Sequence, residues 1–153
     1  MVNKAIFLDR DGVLNNTIVE KNKTRPPYNI KELKILKNNI MEISLFRDDY
    51  FFFIITNQPD IKRGVQSKSF NDFINAKILE LLPIKKIYTC FCHESDKNCK
   101  CYKPSPKMIN DAKKEFNLRM SKSYIIGDRW RDILAGINAG CNTIFYKRNY
   151  NIK

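Results

Sequence analysis

Five short apolar runs recur along the chain: KAIFLD (4–9), FFFIITN (51–57), IKKIYTCF (84–91), SYIIGD (123–128) and NTIFYK (142–147). Most are rich in β-branched and aromatic residues. Runs that are apolar almost without alternation are expected of strands buried on both faces, as parallel strands are. Between them, apolar residues recur at helical spacing over 30–47, 67–82, 105–116 and 130–140. Ser67 is placed to cap the second stretch, Ser105 before Pro106 opens the third, and Gly140 ends the fourth. This alternation predicts an α/β fold, a Rossmann-like three-layer sandwich around a central, mainly parallel five-stranded sheet. A length of 153 residues, 43% of them hydrophobic, suits a single domain over 1–153. No apolar run is long enough to span a bilayer, and nothing at the N-terminus reads as a cleavable signal, so a cytoplasmic location is expected.

Ligands of open α/β sheets bind beyond the carboxyl ends of the strands. Asp9, Thr56 with Asn57, Cys90, and Gly127 with Asp128 all fall at such ends. The first end reads DRDGVLN, with two carboxylates, Asp9 and Asp11, at the mouth of a core strand. Like charges this close need a cation, and Mg²⁺ suits them because it takes a few oxygen ligands and leaves the rest to water or phosphate. The expected ligand set is Asp9, the carbonyl of Asp11, and Asp128, with Asp132 four residues further on. A calcium loop is excluded, since Leu14 stands where that loop needs glycine. A plain turn is the alternative for DRDG taken alone. Thr56 and Asn57 offer a hydroxyl and an amide to phosphate oxygens, and Lys103 offers a point charge.

In their chain order, DxDGVLN, a strand ending TNQ, Lys-Pro and GDxxxD, these motifs resemble the haloacid dehalogenase superfamily of aspartate-nucleophile phosphatases over nearly the whole chain. The resemblance implies a phosphoric monoester hydrolase in which Asp9 is the nucleophile and Asp11 the general acid/base. Thr56 would bind the transferring phosphoryl group, Lys103 would neutralise it, and Asp128 would complete the Mg²⁺ site. Asn15, Asn57, Gln58, Arg63 and Arg129 are the expected substrate contacts, Arg63 foremost because IKRG resembles a family Ala-Arg-Gly. The chain has no room for a large cap domain, so residues 15–30, 58–66 and the cysteine loop must shape the pocket.

Four of the five cysteines crowd into CFCHESDKNCKC, as Cys90, Cys92, Cys99 and Cys101. In a reducing compartment such a cluster points to metal sooner than to disulfides, and two close pairs suffice for tetrahedral Zn²⁺. The pattern resembles the zinc loop of the heptose-bisphosphate and histidinol-phosphate phosphatases. Cys92 stands where that family has histidine and His93 follows it; either could be the fourth ligand, and Cys92 keeps the one-residue gap from Cys90. With four protein ligands the zinc would be structural and would order the loop carrying Lys103. Tyr102 replaces a family arginine, which removes a bidentate phosphate binder.

A net charge of +12, from 28 Lys and Arg against 16 Asp and Glu, favours anionic partners without forming one dense basic block. The resemblance implies a small phosphorylated metabolite in surface-polysaccharide precursor synthesis, most specifically D-glycero-D-manno-heptose 1,7-bisphosphate, acted on by a monomer. Histidinol phosphate and a polynucleotide 3′-phosphate are the alternative substrates. A basic zinc module binding nucleic acid is the non-enzymatic alternative, against which Phe51, Phe52 and Phe53 lie in a core strand and not among Lys and Arg.

Overall fold

A computed structural model describes residues 2–150, so the expected domain bounds at 1 and 153 lie outside the described residues. All five apolar runs are strands of one parallel sheet: β1 (Ala5–Leu8), β4 (Phe51–Asn57), β5 (Ile84–Cys90), β6 (Tyr124–Gly127) and β7 (Asn142–Phe145). Their order is β5-β4-β1-β6-β7, which makes β1 central and fully buried. Residues alternate between the two faces even though both faces are apolar. Phe7, Phe53 and Ile55 join one core with Met108, Ile109 and Ala112, while Ile6, Leu8, Phe52 and Ile54 join another with Ile40, Ile74 and Ile78. Helices α4 (Lys107–Phe116) and α5 (Trp130–Ala139) therefore cover one face, and α1 (Lys37–Ser44) and α3 (Lys68–Leu79) the other. This is the expected three-layer sandwich.

Helix boundaries follow local chemistry where local chemistry is strong. Ser67 caps α3 by accepting the Phe70 N–H at 3.1 Å, and Gly140 closes α5 at φ 81°. At α4 the helix starts one residue later than expected, at Lys107, whose N–H reaches Ser105 Oγ at 3.3 Å.

The stretch 30–47 departs from its helical reading. Only Lys37–Ser44 is helical, because residues 34–36 are held by the loop after β1: Asn16 N–H donates to the Lys34 carbonyl at 2.9 Å, and Leu36 N–H to that of Leu14 at 2.9 Å. Long-range backbone pairing outweighs the local periodicity there. Two further elements lie in the pocket-shaping segments 15–30 and 58–66, where the sequence predicts loops. A hairpin joins β2 (Ile18–Glu20) to β3 (Lys23–Arg25) through Lys21 and Asn22, both at positive φ as a tight right-twisting connection demands, and α2 (Pro59–Lys62) is a single turn. No helix among the described residues is long and apolar enough to cross a membrane.

Candidate active site

The floor of the site is assembled by strand adjacency. β1 and β6 are hydrogen-bonded neighbours, and Asp9 N–H continues the ladder to the Ile126 carbonyl at 3.0 Å, so Asp9 and Asp128 emerge side by side. The chain then turns sharply at Gly12, φ 100°, where any side chain would collide with the Asp128 carboxylate. Asp132 comes from the first turn of α5 and caps it by accepting the Arg129 N–H at 3.1 Å. One carboxylate oxygen from each of Asp9, Asp128 and Asp132 lies within 4.8 Å of the other two, and all three residues are buried.

One ammonium bridges two of these acids, Asp9 and Asp132. Lys103 is 3% exposed and its Nζ donates to Asp9 Oδ1 at 2.8 Å, Asp132 Oδ1 at 2.6 Å and the Ile55 carbonyl at 2.9 Å. Burial, together with Asp132 and Asp128, pushes the Asp9 carboxyl well above its usual range, although Lys103 pulls it down. Burial likewise raises Asp128, against the hydrogen bond that Tyr150 donates to it. Burial works against the charge on Lys103, yet Asp132 and Asp9 outweigh it and hold the ammonium above its ordinary value. Three carboxylates against one lysine leave an excess of negative charge. Among the described residues the buried Asp128 Oδ1 has no hydrogen-bond partner. Both features, with an all-oxygen donor set, fit a hard divalent cation such as Mg²⁺.

Asp11 lies in a different environment. Its Oδ1 accepts from Arg10 Nε and Nη2 at 3.3 and 3.2 Å and from Asn15 Nδ2 at 2.9 Å, and its Oδ2 accepts from Gln58 Nε2 at 2.6 Å. Asn15 and Gln58, expected as substrate contacts, are wholly buried and donate their side-chain amides to Asp11. Gln58 also donates to Thr56 Oγ1 at 2.9 Å, which leaves Thr56 1% exposed. Asn57 does line the cleft, but its Oδ1 accepts the Lys103 N–H at 3.2 Å and so holds the lysine loop, whose Lys103–Pro104 peptide is cis.

The cleft above this floor has a volume of about 580 Å³ and reaches Asp9, Asp11, Lys103 and Asp132. Its rim carries Arg63 and Arg129 as expected, together with Arg131 and the β2–β3 hairpin. Arg129 donates to the Thr24 hydroxyl and thereby ties α5 to the hairpin. Arg25 is consumed by Glu20 and Glu32, each at 2.8 Å, and its hydrogen bonds hold the Glu32 carboxyl down to about 2. Tyr28, pushed up to about 12 by burial and by Asp60, donates to Asp60 at 2.7 Å and pins the hairpin's base to α2. Arg131 pairs with Glu94 at 2.9 Å and sits 5.5 Å above the Tyr102 ring. A guanidinium thus stands over the residue that replaces the family arginine. The hairpin was missed in the sequence because IVEKNKTR is mostly polar and its turn contains no glycine.

Beside Lys103 the four cysteine sulfurs of Cys90, Cys92, Cys99 and Cys101 lie within 4.8 Å of one another. The sulfurs draw together in two pairs, Cys90 with Cys101 and Cys92 with Cys99, and three contacts across the pairs are 3.6–4.0 Å. Those three lie near the spacing of a tetrahedral thiolate site, about 3.8 Å for Zn–S bonds of about 2.3 Å. His93 turns away and pairs its Nδ1 with Ser95 Oγ at 2.8 Å.

A parallel sheet with acids from two adjacent strand ends, a third from the next helix and one buried lysine between them defines the haloacid dehalogenase-like class of hydrolases. A family model described as HAD-hydrolase-like matches residues 100–151. A D-glycero-alpha-D-manno-heptose-1,7-bisphosphate 7-phosphatase of Campylobacter jejuni is 36% identical over 94% of this chain and 82% of its own length. The corresponding beta-specific enzyme of Helicobacter pylori J99 is 33% identical over 90% and 79%. Among solved structures, the D,D-heptose 1,7-bisphosphate phosphatase of B. bronchiseptica complexed with magnesium and phosphate superposes with a TM-score of 0.75 at 26% identity, covering 92% of this chain and 78% of that one. The chain belongs to the haloacid dehalogenase-like phosphatases, among the relatives of the heptose-1,7-bisphosphate 7-phosphatases.

Proposed function

We propose that the chain is a Mg²⁺-dependent phosphatase that removes the 7-phosphate of D-glycero-D-manno-heptose 1,7-bisphosphate in the cytoplasm. The observation that carries this is the convergence of Asp9, Asp128 and Asp132 on one point beneath a cleft whose rim is cationic. The relatives named above supply the substrate.

Asp9 attacks phosphorus in line; the Asp9–phosphorus bond forms as the bond to the sugar oxygen breaks. Asp11 gives its proton to that oxygen, since an alkoxide leaves poorly without one, and then takes a proton from the water that attacks the aspartyl-phosphate. Inorganic phosphate departs and both acids are restored. Lys103, fixed by Asp132 and Ile55, offsets charge on the equatorial oxygens, and Thr56 donates its hydroxyl to one of them. Bound by Asp9, the Asp11 carbonyl and Asp128, Mg²⁺ would neutralise charge on the phosphoryl oxygens. Arg63, Arg129 and Arg131 are the cations placed to meet the distal phosphate. Zn²⁺ on the reduced cysteine quartet would hold the loop that carries Lys103.

Phosphate release is the test, measured over both anomers of the heptose bisphosphate, histidinol phosphate and a 3′-phosphorylated oligonucleotide, with and without Mg²⁺. Mg²⁺-dependent release led by a heptose bisphosphate is expected. A profile led by histidinol phosphate or by the oligonucleotide would refute the substrate.

A further inference from the structure

The largest wholly buried side chain among the described residues is Arg10, a charged group with no direct part in the chemistry above. Buried arginines are rare unless every donor is met. Here all are. Nη1 donates to Asn71 Oδ1 at 2.5 Å and to Asn75 Oδ1 at 2.9 Å. Nε and Nη2 donate to Asp11 Oδ1 at 3.3 and 3.2 Å, and Nη2 also reaches Asp11 Oδ2 at 3.4 Å. Asn71 and Asn75 are four residues apart on α3 and so present their amides from one face. That helix is itself fixed, by the Ser67 cap and by Ile74 and Ile78, which are wholly buried in the core under the sheet.

We propose that Arg10 is a positioning residue: clamped by Asn71 and Asn75 of α3, its guanidinium holds the Asp11 carboxylate in the orientation needed for proton transfer to the leaving oxygen. The inference rests on the role given to Asp11 above. No donor of Arg10 is left for substrate, and its side chain is 0% exposed, so it acts only through Asp11. Its planar fork matters as well as its charge, because a lysine in its place would offer a point charge without fixing the carboxylate's rotation.

Leaving-group dependence separates this role from general damage to the fold. Nitrophenolate departs from p-nitrophenyl phosphate without a proton, whereas a sugar alkoxide needs one. Arg10→Met is expected to lower kcat on the sugar phosphate by about 10²-fold with KM nearly unchanged, a loss of general-acid catalysis. Its first turnover of p-nitrophenyl phosphate in rapid mixing stays within about threefold of wild type, the same selectivity as Asp11→Asn. Combined with Asp11→Asn, Arg10→Met adds little further loss, because both remove one function. Arg10→Lys stays impaired on the sugar phosphate. Asn75→Leu, which removes one hold on Nη1 and spares the rest, shows the same selectivity at roughly a fivefold loss, and serves if Arg10→Met does not fold. Equal losses on both substrates, full activity in Arg10→Lys, or wild-type behaviour of Asn75→Leu and Arg10→Met would each overturn the inference and leave the phosphatase reading standing. An Asp11→Asn enzyme with unaltered leaving-group preference would instead remove the reading on which it rests.

Discussion

Floor and rim of the cleft are built on opposite principles. The floor concentrates charge where water is scarce: Asp9 and Asp132 share one lysine, Asp128 stands beside them, and among the described residues its Oδ1 has no hydrogen-bond partner. The rim spreads its charge in partly exposed ion pairs, Arg25 with Glu20 and Glu32, Arg63 with Asp60, and Arg131 with Glu94, and adds Lys21, Lys23 and Arg129, so that cations outnumber anions around the opening. Unbalanced buried charge is costly unless a ligand completes it, whereas exposed pairs contribute little each. On the function proposed above, reaction chemistry belongs to the floor and substrate choice to the rim.

That contrast is most severely tested by Asp9→Asn, which should abolish turnover by on the order of 10⁴-fold or more while leaving the rim intact, read as phosphate release. Lys103→Met should cost roughly 10²–10³-fold in kcat, as loss of one preorganised charge does. It should also make the melting temperature depend steeply on Mg²⁺, because Asp9 and Asp132 lose the cation they share; a melting curve indifferent to Mg²⁺ would break the account of the floor. Arg131→Ala should act on the other side of the divide, raising KM for the bisphosphate about tenfold with kcat little changed, if a charged hydrogen bond to the distal phosphate is lost. The smallest effect is expected from Glu32→Gln. The folded carboxyl, near 2, lies below its ordinary 4.5, so the clasp with Arg25 stabilises above about pH 4.5 and is lost as the pH falls towards 2. The variant should therefore melt a few degrees lower than wild type at neutral pH and converge with it in acid, followed by thermal denaturation.

The floor was legible in the sequence, but of the rim only Arg63, Arg129 and the segments that shape it were. Buried parallel strands leave unbroken apolar runs, and their carboxyl ends mark where Asp9, Thr56, Lys103 and Asp128 gather. Asp132 was read only as support, since nothing in GDRWRD distinguishes a capping acid from one that also faces Lys103. That the amides of Asn15 and Gln58 turn to Asp11 was not legible, because a motif position says which residues are near the chemistry and not which way they face. Nothing in DRDG marks Arg10 as buried, and its partners Asn71 and Asn75 belong to no motif. The hairpin and the shortened α1 depend on contacts between distant parts of the chain, which local periodicity does not record.

Asp132 begins a helix and closes the acid cluster with the same carboxylate. Whatever draws on its oxygens must therefore be felt by the first turn of α5, whose Arg129 in turn reaches the hairpin. Loading the site would then be audible at a distance, as slower amide exchange along residues 129–133 and a steadier hairpin before any sugar arrives.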